Sequence, residues 1–449
     1  MKKSAKKNHK NYPLSTNHYP LNKNGVNDMQ KTCLFGEESV YRIPSLVNTG
    51  KELVAVCNRE TNDNDYGYME LVCRRSEDGG KTWSEVQLIA CPPAREISKD
   101  YNNSKTAFFI DPVMCVAQNG DIVLLATFFP ECKGIMDKKY LEKKAAFSGF
   151  DSKIYPVVYD RDGNYYIVLD NGKIIDSKKA KTPYRIEGLG ELYKGEEYVG
   201  NIYLNGAMGK SDSDMATTFG APLKAPKRSY VYLFKSSDGG KTWSEGKDIT
   251  RDIYFDDDGY FLGIAPGSAL VTKKGRIIVP LYTLKNTVCI YSDDNGETWQ
   301  RNRRLPYTEN IDEWTVVESE DEIIFAFGRA KKFGKTPVSA SGDNGITWIK
   351  EKKAAFKAPK CQKNAISVGN RIFVSHPSGK KRENGVISVG EFIYDKYGNI
   401  KKIKWQKEDI KINEGFFAYS CLTKLDDNTL GILYEDAPSA HIVFETIEI

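Results

Sequence analysis

Apolar and polar positions alternate over short runs along most of the chain, and clusters of Gly, Asn, Asp and Ser cut the runs apart. Examples are ELVCRR, YVYLFK, RIIVPLYTL, EIIFAFGR, RIFVSHP, GVISVGEFIYD and TLGILYED. A period of two is that of a strand with one face in a core. The β-branched and aromatic residues that fill these runs suit a pleated, half-buried surface. Helical periodicity is confined to one segment, MDKKYLEKKAAF at 136–147. The pattern therefore predicts an all-β protein.

One turn is written four times with the form S-x-D-x-G-x-x-W: SEDGGKTW from Ser76, SSDGGKTW from Ser236, SDDNGETW from Ser292 and SGDNGITW from Ser341. Each copy follows a strand-like run. Ser and Asp side chains bond nearby backbone N–H groups, and Gly takes the positive φ that a tight turn needs. The Trp then packs beneath the turn as an anchor. Successive copies start 160, 56 and 49 residues apart. About 50 residues is one four-stranded blade of a β-propeller. The long first gap holds either unmarked blades or an insertion. The segment 133–224, rich in Gly, Lys and Tyr with short runs such as YYIVLD, GKIID and GNIYLN, reads as a β-rich insertion. The expected organisation is a basic tail at 1–30, propeller at 31–132, the insertion at 133–224, and the remaining blades at 225–449, about six blades in all.

Composition narrows the class further. The 26 Tyr and 20 Phe agree with β structure, and the net charge of +5 is a mild excess partly held in the tail MKKSAKKNHK, a solvated segment. Elsewhere Lys alternates with acidic residues and forms no continuous stripe, which argues against nucleic acid as a partner. Nine Cys without C-x-x-C spacing suit a reducing compartment rather than a disulfide framework, and four His make a His-rich metal site improbable. No run reaches the roughly 18 apolar residues of a membrane helix. No apolar segment follows the basic N-terminus, which favours a cytoplasmic location unless that terminus was trimmed. The two GGKT sequences mimic the end of a phosphate-binding loop, but Arg75 and Lys235 stand where its first Gly belongs. No Ser lies in a nucleophile elbow.

Ligands of a propeller bind where loops from different blades converge, so functional residues are expected singly along the chain. Arg42 in YRIPSLV, Arg59 and Asp65 in NRETNDNDYG, Asp111 in FFIDP, Glu313 in IDEWTVVE, Arg329 in FAFGRA, Arg382 in KKRENG, Tyr419 in FFAYSCL and Glu435 in LYE stand out beside strands. Together with the repeats, this ordered set resembles the bacterial exo-sialidases (neuraminidases). Those enzymes join an Arg-Ile-Pro motif, here Arg42-Ile43-Pro44, to the repeated turn, which they call the Asp box, on a six-bladed propeller. The resemblance runs from about Tyr41 to Glu435. Tyr41 stands where Phe is commoner, and Trp314 where small or polar residues are commoner.

The resemblance implies roles. Arg42, Arg329 and Arg382 would clamp the carboxylate of sialic acid, for which guanidinium forks are well shaped. Tyr419 would be the nucleophile, Glu313 its proton acceptor and Asp65 the general acid and base. Arg59 and Asp111 would contact the 4-hydroxyl of the sugar, and Glu435 would steady Arg42. A neutral phenol suits a substrate whose own carboxylate would repel an anionic nucleophile. The implied reaction is retaining hydrolysis of terminal sialic acid from oligosaccharides, glycoproteins or glycolipids, without a metal or organic cofactor. Enzymes that close the sugar into an anhydro product or eliminate to an unsaturated one share these residues. A non-catalytic sialic-acid-binding propeller is the competing expectation.

Overall fold

The computed structural model describes residues 31–36, 39–61, 64–94, 106–137, 145–204, 221–302, 311–396, 400–438 and 441–449. Six sheets follow one another around a ring, antiparallel except where Gly267–Ser268 pairs in parallel with Phe108–Val116. Blade one is Val40–Asn48, Leu53–Glu60, Met69–Ser76 and Gln87–Ala90. Blade two begins with Phe108–Val116 and Ile122–Phe129 and is completed by Tyr230–Ser236 and Lys247–Asp248. Blade three is built on Leu262–Ile264, Ile277–Thr283 and Thr287–Ser292, and blade four on Ile311–Glu318, Ile324–Ala330 and Val338–Ser341. Blade five contains Asn364–Val368, Arg371–Pro377 and Glu383–Tyr394. Blade six contains Ala418–Lys424, Thr429–Glu435 and Ile442–Glu448, and the N-terminal strand Lys31–Phe35 pairs with the last of these. Pairing the N-terminal strand with the last strand closes the ring.

The core lies between blades. Val113, Leu125 and Leu233 of blade two, for example, pack with Ile277, Val279, Val288 and Ile290 of blade three. These residues alternate along their strands, which is the origin of the period-two pattern.

The long gap between the first two repeats is filled by one excursion, residues 130–229, that leaves blade two after its second strand and returns at its third. Within it, seven consecutive strands from Phe147–Phe150 to Glu197–Asn201 form one sheet in sequence order. Val158, Ile174, Leu192 and Tyr203 join the core shared by blades one and two, so this sheet is packed against the propeller. The Tyr203 and Tyr232 hydroxyls meet at 2.9 Å. The expected helix at 136–147 is represented by a short 3-10 turn at Gly134–Asp137, and its centre lies outside the described residues, as does the basic tail 1–30.

All four repeated turns link the third strand of a blade to its fourth. In the copy at Ser292, the Ser292 hydroxyl accepts the Gly296 N–H at 2.8 Å, Asp294 accepts the Thr298 N–H at 2.9 Å, and Trp299 Nε1 donates to the Gly296 carbonyl at 3.2 Å. Their tryptophans do more than close a hairpin. Trp83 packs edge-on against Phe444 of blade six, 5.2 Å away, and Trp348 joins Ile278 and Cys289 of blade three. Each of these rings bridges its own blade to the one before.

Bonds from the Thr82 hydroxyl and amide hold the Asp78 carboxyl down to about 2. At Asp238 and Asp294 burial pushes the carboxyl up, and the bonds from Thr242 and Thr298 outweigh it, again to about 2. A carboxyl depressed below its ordinary value of roughly 4 stabilises the fold above that pH and loses its contribution as pH falls towards the folded value. Denaturant titrations should therefore show stability dropping between pH 4 and 2 and little change between pH 5 and 7 from these groups. Asp294→Ala should cost about 1 kcal/mol, the usual worth of such a bond. It should leave ligand affinity unchanged, because the turn lies at the far end of its blade from the cluster described next.

Candidate active site

Strand direction sorts the two ends of the ring. In blade one, Val40, Glu60 and Met69 are aligned at one end, and Asn48, Leu53 and Ser76 at the other, where the repeated turn begins. Arg42, Asp111, Glu313 and Tyr419 stand early in the first strands of blades one, two, four and six. Arg329 and Glu435 stand late in the second strands of blades four and six. All lie at the end opposite the Asp boxes.

The backbone aims these side chains by interrupting the ladders. Bulges fall between Arg42 and Ser45, Ile110 and Val113, Ile311 and Trp314, and Ala418 and Ser420. Ile43, Asp111 and Tyr419 take φ values of 60°, 61° and 24° there. Positive φ is strained for non-glycine residues and especially for a β-branched one, and such strain concentrates where a side chain must be re-aimed. The Ile43 N–H is received by Glu435 Oε1 at 3.0 Å.

Tyr419 is the centre of the cluster. Its hydroxyl donates to Glu313 Oε1 at 2.8 Å and accepts from Arg329 Nη1 at 2.9 Å. Arg329 also pairs with Glu313. The guanidinium carbons of Arg42, Arg329 and Arg382 lie 5.7, 5.9 and 5.2 Å from the centre of the Tyr419 ring. Burial pushes the Tyr419 phenol well above its ordinary value, and Arg329 and Arg382 pull against that shift. Arg42 Nη1 pairs with Asp65 at 2.9 Å, and its Nε lies 3.6 Å from Glu435. The Asp65 side chain is half exposed, whereas Glu435 is buried. Arg382 is partly buried and forms no ion pair with a described residue.

Asp111 joins the group. Burial pushes its carboxyl up, and the neighbouring charges of Glu313 and Asp65 push it further.

Arg59 stands apart from these contacts. It does not enter the cluster but lies directly across the ladder from Glu70, and its Nε and Nη2 donate to Glu70 Oε1 at 3.2 and 3.0 Å. Successive strand residues face opposite sides, so Arg59 and Glu60 cannot both face the cluster. Glu60 does. It is 2% exposed, its two carboxyl oxygens have no hydrogen-bond partner among the described residues, and its field neighbours are Arg42, Asp65, Glu435 and Asp111. An acidic residue ending the apolar run LVAVCN was the available signal.

Half-buried Tyr282 and buried Lys363 are further members that the residue pattern did not single out. Trp314 is an anchor: its Nε1 donates to the Leu281 carbonyl at 2.8 Å and its ring meets Trp348 edge-on at 5.8 Å. Among the described residues, no three His, Cys, Asp or Glu side chains are arranged to hold a metal ion.

The arrangement combines three guanidiniums around one phenol, a carboxylate bonded to that phenol, and a half-exposed carboxylate beside the first arginine. It can bind an anion and transfer a proton at each side of it.

Comparison with known proteins bears on the fold and its relatives. Residues 213–427 match the family described as BNR repeat-like domain. Sialidase B of Streptococcus pneumoniae is 23% identical over 450 residues, covering 89% of this chain and 62% of that protein. The anhydrosialidase of Macrobdella decora is 26% identical, covering 89% and 58%. The chain thus spans less than two thirds of the length of these curated relatives. The solved intramolecular trans-sialidase of Ruminococcus gnavus superposes with a TM-score of 0.75 at 22% identity, over 93% of this chain and 97% of that one. Fold, repeated turns and sequence relatives together identify the chain as a relative of the bacterial sialidases, built on their six-bladed Asp-box propeller.

Proposed function

We propose that the protein is an exo-α-sialidase that releases terminal sialic acid from oligosaccharides, glycoproteins or glycolipids with retention. The observation that carries this reading is the Tyr419 hydroxyl, bonded to Glu313 and Arg329 inside a ring of three arginines. A lectin would need the arginines but not a phenol paired with a base.

Arg42, Arg329 and Arg382 hold the substrate carboxylate. Glu313 takes the phenol proton as the Tyr419 oxygen bonds to the anomeric carbon, and Asp65 gives its proton to the departing glycosidic oxygen. In the second half, Asp65 takes a proton from water, the water oxygen bonds to the same carbon, and Tyr419 leaves with its proton returned by Glu313. Two displacements on one carbon give retention. Glu435 steadies Arg42, and Asp111 with Glu60 faces the ring substituents.

Relatives named as an anhydrosialidase and an intramolecular trans-sialidase favour one second reading, in which a hydroxyl of the same sugar replaces water in the second step. Nuclear magnetic resonance of the products from a sialyl oligosaccharide separates the two. Free α-sialic acid as the first product supports hydrolysis, and a 2,7-anhydro sugar supports the internal transfer. Binding without turnover points to the lectin and removes the enzyme reading.

A further inference from the structure

Lys363 is a buried cation that the mechanism above does not use. It is 3% exposed. Its Nζ lies 3.4 Å from the carbonyl oxygens of Gly328 and Cys361, and it forms no ion pair with a described residue. Burying an ammonium without a counter-ion is costly, so a fold indifferent to charge here would be better served by an apolar or amide side chain. The position of the cation suggests what it does. Gly328 directly precedes Arg329, so the carbonyl that Lys363 grips belongs to the peptide carrying the arginine that bonds Tyr419.

We propose that Lys363 is a positioning residue for the Arg329–Glu313–Tyr419 group, orienting Arg329 through the Gly328 carbonyl and placing a positive charge behind the Glu313 carboxylate. This rests on the roles given to those three residues above.

The ionisable groups around Lys363 are Glu313 and Arg329 of blade four, Cys361 of its own segment, and His376 of the adjoining strand in blade five. Burial pulls the Lys363 amine down to about 8, with Arg329 pulling the same way and Cys361 and Glu313 opposing. Burial holds His376 neutral, at about 3. The positive charge is therefore present at neutral pH and is lost as pH rises through about 8.

The test uses the full chain and an aryl sialoside whose phenol leaves without needing proton donation from Asp65, so that the alkaline limb reports other groups. Wild-type kcat should fall as pH rises through about 8. Lys363→Arg, whose charge persists to high pH, should hold its kcat over the same range. Lys363→Met should be about tenfold slower at pH 7 with KM nearly unchanged, as loss of a preorganised charge predicts, and its Tm should be no lower than that of the wild type. Superimposed alkaline limbs for wild type and Lys363→Arg overturn the proposal while leaving the sialidase reading intact. So does a Lys363→Met protein with lowered Tm and unchanged kcat, the signature of a merely structural lysine. A wild type that turns over no sialoside at any pH removes both readings, since Lys363 then has no reaction to position.

Discussion

Tyr419→Phe is expected to lower kcat by on the order of 10³-fold or more, because it deletes the nucleophile of a covalent mechanism. Affinity for sialic acid should change by less than about threefold, since no clamp residue is removed. The substitution is small in every other respect. Phe fills the same volume in the same bulge, and the Arg329–Glu313 pair that flanks the hydroxyl remains. The lost bonds are those from Arg329 and to Glu313. Both bonds are to charged groups, so their removal should cost roughly 2–3 kcal/mol of stability, less than the roughly 5–15 kcal/mol that keeps a domain folded. Steady-state kinetics beside calorimetric titration of sialic acid checks the split. Equal loss in turnover and affinity would mean that Tyr419 only shapes the pocket.

Arg42→Ala should damage both function and fold. Its side chain is buried between Asp65 and Glu435 and stands over the Tyr419 ring. Removing one partner of a buried charge pair strands the other, which typically costs roughly 3–5 kcal/mol. The lower end, about 3 kcal/mol, is expected here, because the Ile43 N–H still satisfies Glu435 and burial already favours its neutral form. Losing one guanidinium fork from a carboxylate clamp should lower kcat/KM by about 10²–10³-fold. Arg42→Lys separates the two effects. It keeps the charge and most of the stability, but an ammonium cannot form the bidentate contact, so kcat/KM should stay low. Recovery of both with Lys would mean that Arg42 matters only as a structural charge.

The fold was legible because the repeated turn is local chemistry. Ser, Asp, Gly and Trp at fixed offsets can be recognised without knowing what they pack against. Blades five and six lack the turn and had to be inferred from alternation in runs such as RIFVSHP and TLGILYED. The inter-blade role of the tryptophans was hidden, since no local pattern says that Trp83 meets Phe444 across the closing seam. The insertion could be recognised by its composition, but its entry after the second strand of blade two could not, because strand order within a sheet is a long-range property.

The site was legible to the extent that its residues sit in recognisable neighbourhoods. Arg42, Asp65, Asp111, Glu313, Arg329, Arg382, Tyr419 and Glu435 come from widely separated segments and meet at one end of the ring. Parity was the weak point. One residue of register separates Arg59 from Glu60, and the bulges that set register leave no mark in composition. The cross-strand partner Glu70 decides which way Arg59 turns, and that pairing appears only once the strands are aligned.

In the proposed mechanism Tyr419 becomes covalently bonded to the sugar. Incubation with a 2,3-difluoro sialic acid, whose anomeric fluoride leaves readily while the second fluorine slows release, followed by mass spectrometry of the digested protein, tests it most directly. One sialosyl adduct is expected on the peptide containing Tyr419, formed as activity is lost and absent from Tyr419→Phe. An adduct on another residue, or a protein that turns over sialosides yet never carries one, would contradict it.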